Sequence, residues 1–194
     1  DNNSFTAWAN LSEFSGGDTV PPVLTGKGAT TGVTAPIVLA DKFGDKDCLN
    51  AFAEGTFDGQ IVVCERGDIA RVAKGLNVQA GGAAGLVLIN TSEDESIVND
   101  YHAIPAIHMD SVQGQQLVDW LSSGENHQAS ISGSSLFSNP DAADIAADLT
   151  SRGPEPIFNQ YLAPHIAGPG VDIYAASAQY TQAYSAGAGE DKSY

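Results

Sequence analysis

The chain has 194 residues, 42% of them hydrophobic, with 8 Lys and Arg against 24 Asp and Glu and a formal net charge of -16. That length fits one domain, or one domain plus an extension, with enough apolar residues for a real core. The negative balance sets nucleic acids and anionic membranes aside as partners, because both repel it, and it suits an extracellular or salt-tolerant protein.

Residues 1–34 read as a β-rich or irregular lead-in, punctuated by Gly16-Gly17, Pro21-Pro22, Gly26, Gly28 and Gly32. Asp1-Asn2-Asn3-Ser4 is not a signal peptide, so a secreted chain would have its signal removed or further upstream. Pro36 to Ala40 is a short apolar strand. Asp41 to Gly59 is a polar loop, and Gln60-Ile61-Val62-Val63-Cys64 is a second, β-branched strand. Asp68 reads as a helix cap, followed by Ile69, Val72, Ala73, Leu76 and Ala80 at helical spacing, stopped by Gly81-Gly82. Gly85 to Asn90 is a buried strand. Ile104 to His108 is another, confined by Pro105 to an edge or a strand start. Asp110, with Gln113 three residues on, has the form of a capping box, opening a helix with Val112, Leu117, Trp120 and Leu121 on one face. Gln128 to Ser132 is a last strand. The order β-α-β-β-α-β over 60–132 predicts an α/β unit with helices covering a sheet. From Gly133 to Pro140 the composition turns to Gly, Ser, Asn and Pro, which marks a boundary. Beyond it, 144–149 is strand-like, and the small, polar tail from Gln179 reads as a surface loop. No stretch reaches the roughly 18 apolar residues of a membrane span.

The two cysteines, Cys48 and Cys64, are either two buried thiols or a disulfide, and secretion favours the disulfide. Closing so short a loop would contribute about 3 kcal/mol. Their spacing does not suit zinc.

The blocks Phe57-Asp58-Gly59-Gln60-Ile61-Val62-Val63-Cys64-Glu65-Arg66-Gly67, Lys74-Gly75, Ala80 to Gly85, Leu86 to Asn90 and Ile104 to Ile107 resemble, in order, the protease-associated (PA) domain. The resemblance covers about residues 35–132 and implies a PA-type fold. That fold is an open mixed β-sheet or barrel flanked by two main helices, with a PA domain at 35–135 and a C-terminal extension at 136–194. A second resemblance is to the catalytic domain of subtilisin-like serine proteases. Thr150-Ser151-Arg152-Gly153-Pro154 is similar to one block of that family, and Leu162 to Ile173 to another, departing from it at His165 and Gly168. In larger members a PA domain is inserted just upstream of these blocks, and the order here is the same. Within this frame a Cys48–Cys64 disulfide would staple the loop leading into the strand at 60–64, and the strand at Val171 to Ala175 would lack its sheet neighbours.

Serine-protease chemistry needs a nucleophile, a base, an orienting acid and an oxyanion hole. The family's Asp, His and oxyanion Asn lie upstream of the insert and its Ser in a downstream Gly-Thr-Ser block, so no position here is carried over as catalytic. The remaining candidates read as structural. His165 stands where the family usually has an acid. His102 and His108 lack a third ligand at metal spacing, and His127 reads as surface. Glu93-Asp94-Glu95 lacks the alternating oxygens of a calcium loop. The glycines at 81–85 close a helix instead of opening one, the wrong polarity for a phosphate loop. In Arg66-Gly67-Asp68 the aspartate is taken as the cap instead of part of an adhesion string, and Ser151 is not in a Gly-x-Ser-x-Gly elbow.

The sequence therefore points to a non-catalytic part of a secreted subtilisin-like endopeptidase, with no cofactor or metal in this chain. Its expected partners are the rest of the catalytic domain, protein or peptide substrates, or a second copy of itself. The alternatives are a stand-alone PA-type module that binds peptides or proteins, and a small independent hydrolase, which the missing constellation opposes.

Overall fold

The structure, a computed structural model, describes residues 5–138 and, beyond them, Ala146, Thr150, Ile157, His165, Ile166 and Gly168. The strand expected at 171–175 and the tail from Gln179 lie outside the described residues, as does the strand expected at 144–149 apart from Ala146.

β3 (Val33–Leu39), β4 (Ile61–Glu65), β5 (Gly85–Ile89) and β6 (Ala106–Met109) run parallel, with Ile37 opposite Ile61, Ile61 opposite Gly85 and Leu86 opposite Ala106. Burial on both faces explains why β4 and β5 read as continuous apolar runs instead of alternating ones. Pro105 immediately precedes β6, where its missing N–H costs nothing, and its carbonyl accepts from the Leu86 N–H at 2.9 Å.

The lead-in is part of the sheet. β1 (Phe5–Ser15) and β2 (Leu24–Lys27) pair with each other, β2 pairs with β6, and β1 pairs with β7 (Gln128–Ile131), which pairs with β3. This circuit closes seven strands into a mixed barrel, and β8 (Ser135–Ser138) adds to the first part of β1. β1 can serve three neighbours because it is long and irregular. Glu13 has φ of 53°, and the register with β7 shifts between Ser12 and Ser15, as at a bulge.

Alternate residues of the parallel strands feed two cores. One cluster takes residues from all seven barrel strands, among them Leu11, Leu24, Ile37, Ile61, Val87, Ile107 and Ile131, so it fills the lumen. Leu117, Trp120 and Leu121 of α2 (Ser111–Leu121) join that cluster, which makes α2 the seal of the barrel. The second cluster lies on the outer face. Val62, Cys64, Leu86, Leu88 and Ala106 meet Val78 of α1 (Arg71–Ala80), Ala40 of a short 3-10 turn, Cys48 and Phe57.

Several helix details differ from the sequence expectation. The N-cap of α1 is Ala70 and carries no side-chain hydrogen bond; Asp68 is exposed, in a left-handed conformation at φ 59°. The Gly67–Asp68 turn places the chain, and the helix begins later than expected. The buried face of α1 is Lys74, Gly75 and Val78, whereas Ala80 is exposed. On α2, Val112 is 53% exposed, and Gly114 takes its place on the inner face, where a Cβ would meet Ile89 at 2.8 Å. Asp110 does cap α2, accepting the Gln113 N–H at 2.8 Å. The Gln113 side chain, however, turns to β2 instead of back to the cap N–H. Its Oε1 accepts the Thr25 N–H at 2.7 Å and its Nε2 donates to the Thr25 carbonyl at 3.0 Å and to Asp110 Oδ2 at 2.7 Å. One amide side chain thus does for Thr25 what a neighbouring strand would do.

Candidate functional site

The chemistry-bearing side chains gather where β4, β5 and β6 meet the segment 91–105. Arg66 directly follows β4 and Asn90 directly follows β5; His108 is within β6, on the outer face shared with Leu88, its register partner. Asn90 is 3% and His108 4% exposed. Asn90 Nδ2 donates to the Glu95 carbonyl at 2.7 Å, so Oδ1 faces the other way, toward His108 Nε2 at 2.6 Å and Arg66 Nη1 at 3.2 Å. An acceptor at that position assigns the imidazole proton to Nε2. His108 Nδ1 then accepts the Val98 N–H at 3.0 Å. Burial pushes the His108 pKa down to about 4, reinforced by Arg66 and Arg71 and opposed by the Val98 carbonyl and Asp100.

The same network engages the acidic triplet. Burial pushes the Glu95 carboxyl up, but the amides of Thr91 and Ser92 and the nearby Arg66 outweigh it and hold Glu95 below its usual range. Glu93 and Asp94 stay exposed. Glu95 is therefore a clasp for its own loop. Arg66 donates to the Ser96 carbonyl at 2.7 Å as well as to Asn90, so it is committed inside the fold and not displayed as an adhesion string. Arg71 of α1 pairs with Asp100 through both Nε and Nη2.

His102 and His108, whose spacing did not suit a metal site, have separate surroundings. His102 presses on the backbone of α1 at Gly75, and its Nδ1 has no partner; burial lowers its pKa. Among the described residues no group of three His, Cys, Asp or Glu side chains could hold a metal ion. His127, expected at the surface, is 7% exposed. It stands edge-on to Trp120 with ring centroids 4.6 Å apart, and its Nε2 lies 2.7 Å from the Ser123 carbonyl. Nothing local in the sequence signals this; Gly17, just after β1, and the end of α2 build its pocket. His165 is exposed, in a bend. Ser151 lies outside the described residues.

Cys48 and Cys64 form a disulfide with Cα atoms 5.8 Å apart, both fully buried. It ties the loop after the 3-10 turn to β4. Lys74 was not foreseen: it is fully buried, its ammonium donates to the Asp47 carbonyl, and burial lowers its pKa against the pull of Asp47, Asp45 and Asp68. Asn77 adds a bond to the Cys48 carbonyl at 2.9 Å. At the far end of α1 the chain turns through Gly82, at φ 92°, where a Cβ would meet the Phe57 carbonyl at 2.6 Å. The glycine loop is thus a packing device, as its polarity indicated. A shallow depression beside α2 is lined by Glu93, Ser111, Val112, Gln115, Gln116 and Asp119, and the Ser111 hydroxyl has no hydrogen-bond partner among the described residues.

The described residues thus form a closed mixed barrel sealed by one helix and flanked by another, with the polar side chains of this region spent on holding loops. The family model described as the PA domain matches residues 33–117, and the chain carries a PA domain. Among its relatives from Arabidopsis thaliana, the subtilisin-like protease SBT5.4 is 40% identical over 63% of this chain and 16% of its own length. The subtilisin-like protease SBT1.6 is 36% identical over 73% of this chain and 19% of its own length. The chain thus spans about a fifth of the length of the curated relatives it matches. Among solved structures, an aminopeptidase from Aneurinibacillus sp. strain AM-1 aligns with 67% of this chain and 31% of its own, at 19% identity and a TM-score of 0.41.

Proposed function

We propose that the chain is the non-catalytic PA-domain portion of a secreted subtilisin-like serine endopeptidase, where it governs access or binding of protein substrates, or self-association of the enzyme. The observation that supports this most directly is where the barrel begins and ends. Phe5 is the register partner of Ser138, so the chain enters and leaves side by side. A module built that way can be inserted in another domain without deforming its host. The similarity to a part, under a fifth, of two much longer subtilisin-like proteases is compatible with such an insert. The blocks at 150–154 and 162–173, which resemble the host catalytic domain, come after it in the expected order. Among the described residues no helix is long and apolar enough to cross a membrane.

The test uses the full-length parent and a variant in which a short Gly-Ser linker replaces residues 5–138. Hydrolysis of a small chromogenic peptide is expected to persist, while turnover of folded protein substrates, or the mass in solution, changes about tenfold or by a whole subunit. An unchanged ratio of protein to peptide turnover, with unchanged mass, would overturn the proposal. A Gly-Thr-Ser block encoded soon after Tyr194 is also expected; a stop codon there would favour a stand-alone binding module.

A further inference from the structure

We propose that residues 91–105 form an acid-opened latch, closed over the outer face of β5 and β6 while the His108 imidazole is neutral and released when that ring takes a second proton. The segment has no helix or strand, and none of its side chains is fully buried; Ile104, partly buried, packs against the outer core. What holds it down is polar. Arg66 grips the Ser96 carbonyl, Asn90 the Glu95 carbonyl, Arg71 the Asp100 carboxylate and His108 the Val98 peptide. Segments with little apolar burial lie at the low end of local stability and open without global unfolding.

Of the four side chains that grip the latch, His108 is the one whose charge changes on acidification. The neutral ring fits its site fully: Nε2–H donates to Asn90 Oδ1, and Nδ1 accepts the Val98 N–H. A proton on Nδ1 ends the bond from the Val98 N–H. The Val98 carbonyl, already 3.1 Å from Nδ1, is in place to accept from that proton, so the cost of the protonated ring lies in its buried charge and not in a missing acceptor. The new charge would be almost fully buried. It would share the Asn90 oxygen with Arg66 and face Arg71 on α1. Lys27 of β2 is its register partner on the other side. Asp100, on the latch itself, is the one carboxylate acting on it, and it is already paired with Arg71. Glu95 faces Arg66, and His102, also on the latch, is itself disfavoured as a cation by burial. Opening returns the imidazolium to water. A ring near 6.5 when free and about 4 when covered gains at most a few-hundred-fold in open population from acid.

The experiment is an NMR pH titration of the full chain from pH 7 to 3, with amide exchange corrected for its intrinsic pH dependence. The His108 ring and the amides of residues 95–100 are expected to move with one midpoint near pH 4. Over that range latch exchange should accelerate at least tenfold while β4 and β5 amides stay protected. His108→Gln keeps a donor for Asn90 without the charge and is expected to remove the acceleration. Three results overturn the proposal: His108 titrating with a static latch, the latch opening with the same midpoint in His108→Gln, or barrel and latch losing protection together. The first and third are read on the unmodified chain and do not depend on the variant folding.

Discussion

Gly75 and His102 show how one missing methyl shapes the outer face. A Cβ at Gly75 would lie 2.6 Å from His102 Nδ1. Alanine normally gains about 1 kcal/mol over glycine inside a helix, but here it must displace a packed ring, which costs about 1–3 kcal/mol. Gly75→Ala is expected to lower the urea midpoint, whereas the same change made in a His102→Ala background is expected to raise it. Additive effects would mean that the two do not meet. The sign of pH dependence is also set by single residues. His102 and His108 both have folded pKa values below the unfolded one, so the unfolded chain binds more protons in mild acid. Their contribution to stability is complete above about pH 6.5 and is lost as pH falls from there, for His108 toward about 4. Urea titrations at pH 7 and pH 4.5 are expected to show a lower midpoint in acid, with His108→Gln reducing the difference.

Among the elements, α2 has the most leverage. It seals the lumen with Leu117, Trp120 and Leu121 and completes β2 through Gln113. Gln113→Ala leaves the Thr25 N–H and carbonyl without their partner, and about 2 kcal/mol of stability should go with them. A thermal melt unchanged within error would show that water substitutes for the amide. The disulfide acts on a different element, the loop from the 3-10 turn to β4. Both sulfurs are fully buried, so denatured but unreduced protein is expected to show no free thiol, and Cys48→Ala/Cys64→Ala to lose about 3 kcal/mol. At this scale the sequence was partly readable. β4, β5, the cap at Asp110 and the alternation over 60–132 arise from β-branched runs, glycine punctuation and side-chain chemistry. Asp68 failed as a cap because a left-handed turn competes for the same residue type. The inner face of α1 was misread because Lys74 hides a cation behind a long apolar stem and Gly75 has no side chain to score. Val112 looked like core, yet Gly114 is what the lumen admits. His127 and the Asn90–His108–Arg66 cluster depend on residues from separate strands and were not readable by periodicity.

For the whole molecule, closure of the barrel within 5–138 predicts that the lumen holds its packing without residues 139–194. Removing those residues is expected to leave the unfolding midpoint unchanged within error; a large drop would mean that the barrel leans on the extension. The isolated chain is also expected not to hydrolyse casein, and activity abolished by an active-site serine reagent would contradict that. The lead-in, read as β-rich or irregular from its glycines and prolines, holds two strands, and β1 touches three other strands and closes the circuit. The pairing of Phe5 with Ser138 also has a mechanical side. Tension between the two chain ends loads the β1–β8 ribbon like a zipper, one cross-link at a time from the open end, instead of shearing all of them together. A pull would peel the ribbon as far as Trp8 and Ser135 before it reached the staves of the barrel. The ribbon would then give way first, as a fuse, while the interior of the barrel stays shut.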